Sequence, residues 1–155
     1  MSETDDTRLV AWASEMRAVH QRLRDALAVA RESIEVGDAV RITSDLLLFC
    51  RGFCAALSGH HGAEDAVLFP EIEHQHPELS DVLAKLSQDH SMIEYLISAL
   101  DAAMQSGESR DVLEQHLDGI GSVMESHFGY EERQLLKVLE TLDLEADVET
   151  VFGPF

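Results

Sequence analysis

Apolar residues recur at steps of three and four along four long stretches of the chain. The first, about 7–35, carries Trp12, Met16, Val19, Leu23, Leu27, Ala30 and Ile34. The second, about 39–68, carries Leu46, Phe49, Phe53, Leu57 and Leu68. The third, about 78–105, is the most regular, with Leu79, Leu83, Leu86, Ile93, Ile97, Leu100 and Met104; the fourth, about 109–142, carries Leu113, Ile120, Val123, Leu135 and Leu139. A 3/4 step sustained over several turns keeps side chains on one helix face, whereas a strand alternates with period two. The prediction is all-α. Asp38 suits the cap of the second helix, and Gly37 and Gly107 can close the first and third in the left-handed conformation. Pro77 falls where a first helical residue is expected, its missing N–H costing nothing there. Gly52, Gly59 and Gly62, with Gly119, Gly121 and Gly129, weaken the case for unbroken helices and allow close helix approach. Short connections between four such helices give an up-down-up-down antiparallel four-helix bundle. We expect a single domain over 1–155, with the bundle at about 7–142 and an acidic tail at 143–155.

Polar residues interrupt these stripes at inward positions. His90 lies between Leu86 and Ile93; His127 and Glu131 continue the line from Ile120 and Val123 to Leu135; the stripe through Phe53 and Leu57 runs into His60, His61 and Glu64; His20 follows Met16 by one turn. Burying ionisable groups without partners costs roughly a few kcal/mol or more each. A lone core histidine is ordinary. Four helices carrying such residues together is not.

These residues can meet. At ~1.5 Å per residue, His20 lies roughly 20 Å from the first helix–helix turn and His60 roughly 30 Å from it, while His90 and His127 lie roughly 24–27 Å from the third–fourth turn. Tilt and ragged ends absorb a mismatch of about 10 Å, so all four helices can present donors to one layer. Within that layer His60 and Glu64, His90 and Glu94, and His127 and Glu131 are each four apart, and residues at i and i+4 share a helix face. With His20, these pairs supply four imidazoles and three carboxylates. That is too many donors for one tetrahedral zinc and suits two octahedral ions bridged by carboxylates. Nitrogen and oxygen donors without thiolate point to iron first, with manganese or zinc as alternatives. His61 is an additional ligand beside His60 or the i+3 partner of Glu64; the spacing leaves both readings open.

Composition narrows the partners. With 45% hydrophobic residues in 155, the chain can bury a core without disulfides. Eleven Lys+Arg against 30 Asp+Glu give a net charge of −19, which repels phosphate backbones and anionic lipid, so neither nucleic acid nor a membrane is expected as a partner. No apolar run approaches the roughly 20 residues of a membrane span. The start, Met1-Ser2-Glu3-Thr4-Asp5-Asp6, lacks a secretory pattern, and a cytoplasmic protein is expected. Cys50 and Cys54 read as buried thiols acting as small hydrophobes. Phosphate-cradling loops and nucleophile elbows are missing from the sequence.

The ordered set His20, His60-His61-Gly62-Ala63-Glu64-Asp65, Asp89-His90 and His127-Phe128-Gly129-Tyr130-Glu131-Glu132 resembles the hemerythrin-like (HHE cation-binding) family. Leu68-Phe69-Pro70 resembles its bacterial members, and the likeness extends over about 8–142. It implies a non-haem di-iron centre in a four-helix bundle, with Glu64 and Glu131 as bridging carboxylates. Oxygen-carrying members are five-histidine sites with His-x-x-x-His on the third helix, where this chain has Glu94. Their fourth-helix aspartate has Glu132 as its only local analogue. A carboxylate in place of an imidazole favours the ferric state. The expected function is therefore reaction with O2, H2O2 or NO at a position on the iron nearer His90 and His127. The competing readings are an iron storage or delivery module and a metal-free helical interaction protein.

Asp65 is expected beside the ligands or in solvent, and Asp89 in water. Tyr95 and Tyr130 are read as packing residues, and His74, His76 and His116 as solvated. Glu71-x-x-His74 matches the ferritin-like carboxylate–histidine unit, but its second copy is missing from every inward stripe. The segment from Leu144 to Phe155 either covers the bundle or mediates a homodimer.

Overall fold

A computed structural model describes residues 3–36 and 44–153, with side chains over 12–33 and 48–153. The expected caps at Gly37 and Asp38, and the side chains of Ile34 and Leu46, lie outside the described residues. The chain forms α1 (Glu3–Val36), α2 (Ser44–Ala63), a π turn (Glu64–Leu68), α3 (Phe69–Gln75), a 3-10 turn (Pro77–Leu79), α4 (Ser80–Gln105), α5 (Arg110–Leu139) and the short α6 (Val148–Phe152). There is no strand among the described residues.

Around the bundle α1 neighbours α2, α2 neighbours α4, α4 neighbours α5, and α5 closes back on α1. Cross-helix pairs show the directions. Arg24 pairs with Glu125 and Arg31 with Asp118, so α1 and α5 run oppositely. Ser58 bonds Glu94 while Asp65 bonds Ser87, and Lys85 sits over Tyr130 while His90 meets His127. The α2–α4 and α4–α5 pairs are thus antiparallel too, which is the predicted topology.

The stripes face inward as expected: Met16, Val19, Leu23 and Ala30 on α1, Leu83, Leu86, Ile93 and Leu100 on α4, and Leu113, Ile120, Leu135 and Leu139 on α5 are buried. Two positions differ by one residue. Phe49 is exposed and Cys50 takes the inward place, while Met124 lies deeper than Val123. Cys50 and Cys54 pack as hydrophobes, and burial pushes their thiols up to about 11 and about 12. The glycines do not break α2 or α5. Gly121 provides a close approach, since a Cβ there would stand 2.9 Å from Leu27 Cδ2 on α1.

The second rod runs further than the pattern predicted. It continues past Leu68 through α3 to Gln75, accommodating Pro70 inside it. Proline removes a donor and its ring crowds the carbonyl one turn back. The residues ahead of Pro70 widen into the π turn, in which the Phe69 N–H bonds Glu64 O. Pro77 opens the 3-10 turn just before α4 rather than α4 itself. Gly107, at φ 68°, ends α4 in the left-handed region as expected.

Beyond α5 the chain returns over the bundle. The Gln75 side chain donates to Asp143 O at 2.7 Å and accepts from Asp143 N at 3.2 Å, the Trp12 indole N–H donates to Leu144 O at 3.2 Å, and Leu142, Val151 and Phe152 are buried. The described part of this segment, through residue 153, covers the bundle. None of the described helices is long and apolar enough to cross a membrane.

Candidate metal centre

Midway along the bundle the apolar stripes give way to one polar layer. His20 comes from α1, His60 and His61 from α2, Glu64 from the first position of the π turn, His90 from α4, and His127 and Glu131 from α5. None of these side chains is more than 4% exposed. They form two groups whose donor atoms lie within 4.8 Å of one another: His61, Glu64, His90 and His127, and His20, His60 and Glu131. Successive helical residues point about 100° apart, so His60 and His61 serve different groups. Glu64 lies near both His60, four residues before it, and His61, three residues before it.

The carboxylates face both groups at once. Glu64 Oε1 lies 3.3 Å from His60 Nε2 and 3.4 Å from His90 Nε2. Glu131 places Oε1 3.6 Å from His20 Nε2 and Oε2 3.0 Å from His127 Nε2. Each carboxylate thus lies between imidazoles of both groups, Glu64 through one oxygen and Glu131 through both.

The imidazoles are turned so that Nε2 points inward. His90 Nδ1 donates to Asp65 Oδ1 at 2.9 Å, His127 Nδ1 to Asp89 Oδ2 at 3.1 Å, and His60 Nδ1 to the Phe152 carbonyl at 2.9 Å; His20 Nδ1 lies 3.4 Å from Glu132 Oε1. A neutral imidazole that donates through Nδ1 carries its lone pair on Nε2. His90 Nε2 and His127 Nε2 stand 3.1 Å apart, so two lone pairs face each other. Both nitrogens of His61 and all four oxygens of Glu64 and Glu131 are buried without a hydrogen bond of good geometry. Leaving so many acceptors unsatisfied costs about 1–3 kcal/mol or more apiece. A cation in each group satisfies them together, and the donor set fits that role.

Without a cation the layer redistributes protons. Burial, then the charge of neighbouring Glu131, pushes Glu64 well above the usual carboxylate range. Burial also acts on Glu131, but the close polar groups Glu64, His127 and His20 outweigh it and hold Glu131 well below that range. Burial lowers His60 to about 3 and takes His61 well below its ordinary value. Burial and then His127 lower His90. At His20 burial is overcome by Glu131 and Glu132, which raise it. The close approach of His20 in turn holds Glu132 low.

Seven of the eight residues expected as ligands thus converge, and Glu94 does not. It is exposed and accepts from Ser58 Oγ at 2.9 Å, outside both groups. The inward step after His90 is three residues, to Ile93, so Glu94 is rotated about 100° off the buried line. Asp89 corrects a second expectation: it is half-buried and holds His127 instead of facing water. Asp65 lies beside the ligands, on His90. Tyr95 is 73% exposed, and Tyr130 lies under Lys85 rather than in the layer. His74, His76 and His116 are in neither group. The Phe152 carbonyl on His60 is a main-chain group and carries no signal in a side-chain pattern.

A family model described as the hemerythrin HHE cation binding domain matches residues 13–149. Comparisons with curated proteins and with solved structures return no match. The matched span contains every residue of the two donor groups and most of the chain, and the protein belongs to the hemerythrin HHE cation-binding family.

Proposed function

We propose that the centre holds two iron ions bridged by Glu64 and Glu131 and reacts with O2, peroxide or nitric oxide. The observation that carries this reading is the double facing of both carboxylates, each within 3.6 Å of imidazoles in both groups. With both shared, the group of His61, His90 and His127 offers five protein donors and the group of His20 and His60 offers four. For six-coordinate ions the more open position lies on the His20–His60 side. This revises the expectation that placed it near His90 and His127.

When bound, a pair of iron ions supplies the electrons that a small oxidant consumes or the position that nitric oxide occupies. The chain's own residues bind and orient: Asp65, Asp89, Glu132 and the Phe152 carbonyl aim the imidazoles, and the buried apolar stripes exclude bulk water. Donors that are buried and pre-aimed retain ions, which favours a resident centre over storage or delivery. O2, H2O2 and NO are neutral, so a net charge of −19 does not repel them. The same charge, with no described helix long and apolar enough to cross a membrane, supports a cytoplasmic protein acting on small molecules.

A second reading is reversible O2 carriage. With Glu94 outside the layer, the expected extra negative charge is lost, and the set becomes five neutral imidazoles and two carboxylates. Anaerobically reduced, iron-loaded protein exposed to O2 or peroxide separates the two readings by absorbance. Oxidation that persists on degassing, with peroxide consumed, is the expected result. Return of the reduced spectrum on degassing favours carriage.

A further inference from the structure

His90, His127 and His20 are turned by Asp65, Asp89 and Glu132, side chains of the bundle rods themselves. His60 is turned by a main-chain carbonyl from outside the bundle. Phe152 O accepts from His60 Nδ1 at 2.9 Å, and the Phe152 ring lies 5.9 Å from the His60 ring at 27°. The segment that delivers this carbonyl is tied down at Asp143 by Gln75, at Leu144 by the Trp12 indole, and at α6 by the Trp12–Phe152 ring contact of 6.0 Å. Its last contact is the tightest. Gly153 has φ +93°, and a Cβ there would meet Gly59 C, Gly59 O and His60 N at 2.9 Å. These are backbone atoms that cannot swing aside.

We propose that the segment 143–153 is a strap that sets His60 as a ligand, so that docking of the strap and binding of the cation at the His20–His60 group form one coupled equilibrium. The proposal rests on the two-ion reading above. A carbonyl only accepts, so the docked strap keeps the proton on Nδ1 and the lone pair on Nε2, facing Glu64. With the strap displaced, His60 loses both the bond that selects this tautomer and the ring that walls it in. Phe152 and Gly153 are positioning residues. Among the described residues no hydrogen bond from the strap reaches His61, His90 or His127, whose aiming acids are Asp65 and Asp89. Coupling is reciprocal: if docking raises the cation's affinity by some factor, the bound cation favours docking by the same factor.

The test is a cobalt(II) titration of the metal-free full chain, wild type against Gly153→Ala. Wild type should take two ions. The variant should take one with wild-type affinity and the second about 10–100-fold more weakly, the usual loss when a ligand's orienting partner is removed. A purely structural role lowers the melting temperature and leaves both affinities in their wild-type ratio, and that result overturns the proposal. Hydrogen exchange on wild type removes any dependence on the variant's folding. Amides of 143–153 should gain protection on cobalt saturation, and unchanged exchange overturns the coupling. A wild type that takes fewer than two ions defeats the two-ion reading and the strap with it, an outcome distinct from equal affinities in the variant.

Discussion

His90 and His127 are aimed by two acids, Asp65 and Asp89, at the rim of the bundle; His60, less than a side chain away, is aimed by a peptide carbonyl from the segment beyond α5. An acid orients a ring and also adds charge, making the imidazole a stronger donor. A carbonyl orients with little charge. One half of the centre is therefore rich in imidazoles, supported by charge and built wholly from the bundle rods. The other has fewer imidazoles and depends in part on how the chain returns after α5. The half with fewer donors is where a small molecule is expected to meet the centre.

Glu131 touches both halves, and its removal should give the largest effect. Glu131→Ala should abolish binding of both ions. At a hundredfold excess over Kd each ion contributes about 2.7 kcal/mol, so two contribute about 5 kcal/mol, on the order of 10–20 °C in a domain of this size. Calorimetry with and without chelator should show that difference in wild type and none in the variant.

Asp65→Asn and Asp89→Asn act on one half of the centre alone. Each should weaken the ion held by His61, His90 and His127 by about 10–100-fold and leave the His20–His60 ion near its wild-type affinity, as read by chelator competition. Equal weakening of both ions would erase the distinction between the halves.

Acid should next expose the cost of the metal-free layer. His60, held at about 3, together with His61 and His90, both lowered, stays neutral in the fold while the same residues in unfolded chains take protons near 6.5. The unfolded state then binds more protons and stability falls as pH falls. Glu64 and His20, both raised, work in the opposite direction and offset this near neutrality. The three lowered imidazoles prevail between about pH 6 and pH 5. Chelator-treated protein should therefore lose melting temperature across that interval; a flat or rising profile would contradict the buried-neutral assignment.

The smallest effect is expected at Glu94. Glu94→Gln should leave both metal affinities unchanged and stability within about 0.5 kcal/mol, as at other surface positions.

The bundle was legible because its stripes are long: Leu83, Leu86, His90, Ile93, Ile97 and Leu100 mark one face of α4 over five steps. His20, His60, Glu64, His90, His127 and Glu131 were legible as polar breaks in such faces. Glu94 was misread because i+4 spacing was applied without the local phase. Four residues on from His60 and His127 the buried face is met again at Glu64 and Glu131, whereas four on from His90 the chain is exposed and the inward residue is Ile93, three on. That signal was present in the sequence. Asp89 on His127 was not, since cross-helix pairing depends on the register of α4 against α5. Nor was the π turn, which arises from fitting Pro70 into a continuing rod, or the bond from His60 to a backbone atom 92 residues away.

In the proposed centre two iron ions share Glu64 and Glu131 between the two imidazole groups. Iron analysis joined to X-ray absorption on protein loaded anaerobically and freed of excess metal tests it most directly. Two irons per chain, each with a second iron in its near shell of scatterers, is the predicted result. One iron or none, or two irons with no iron neighbour, would contradict it.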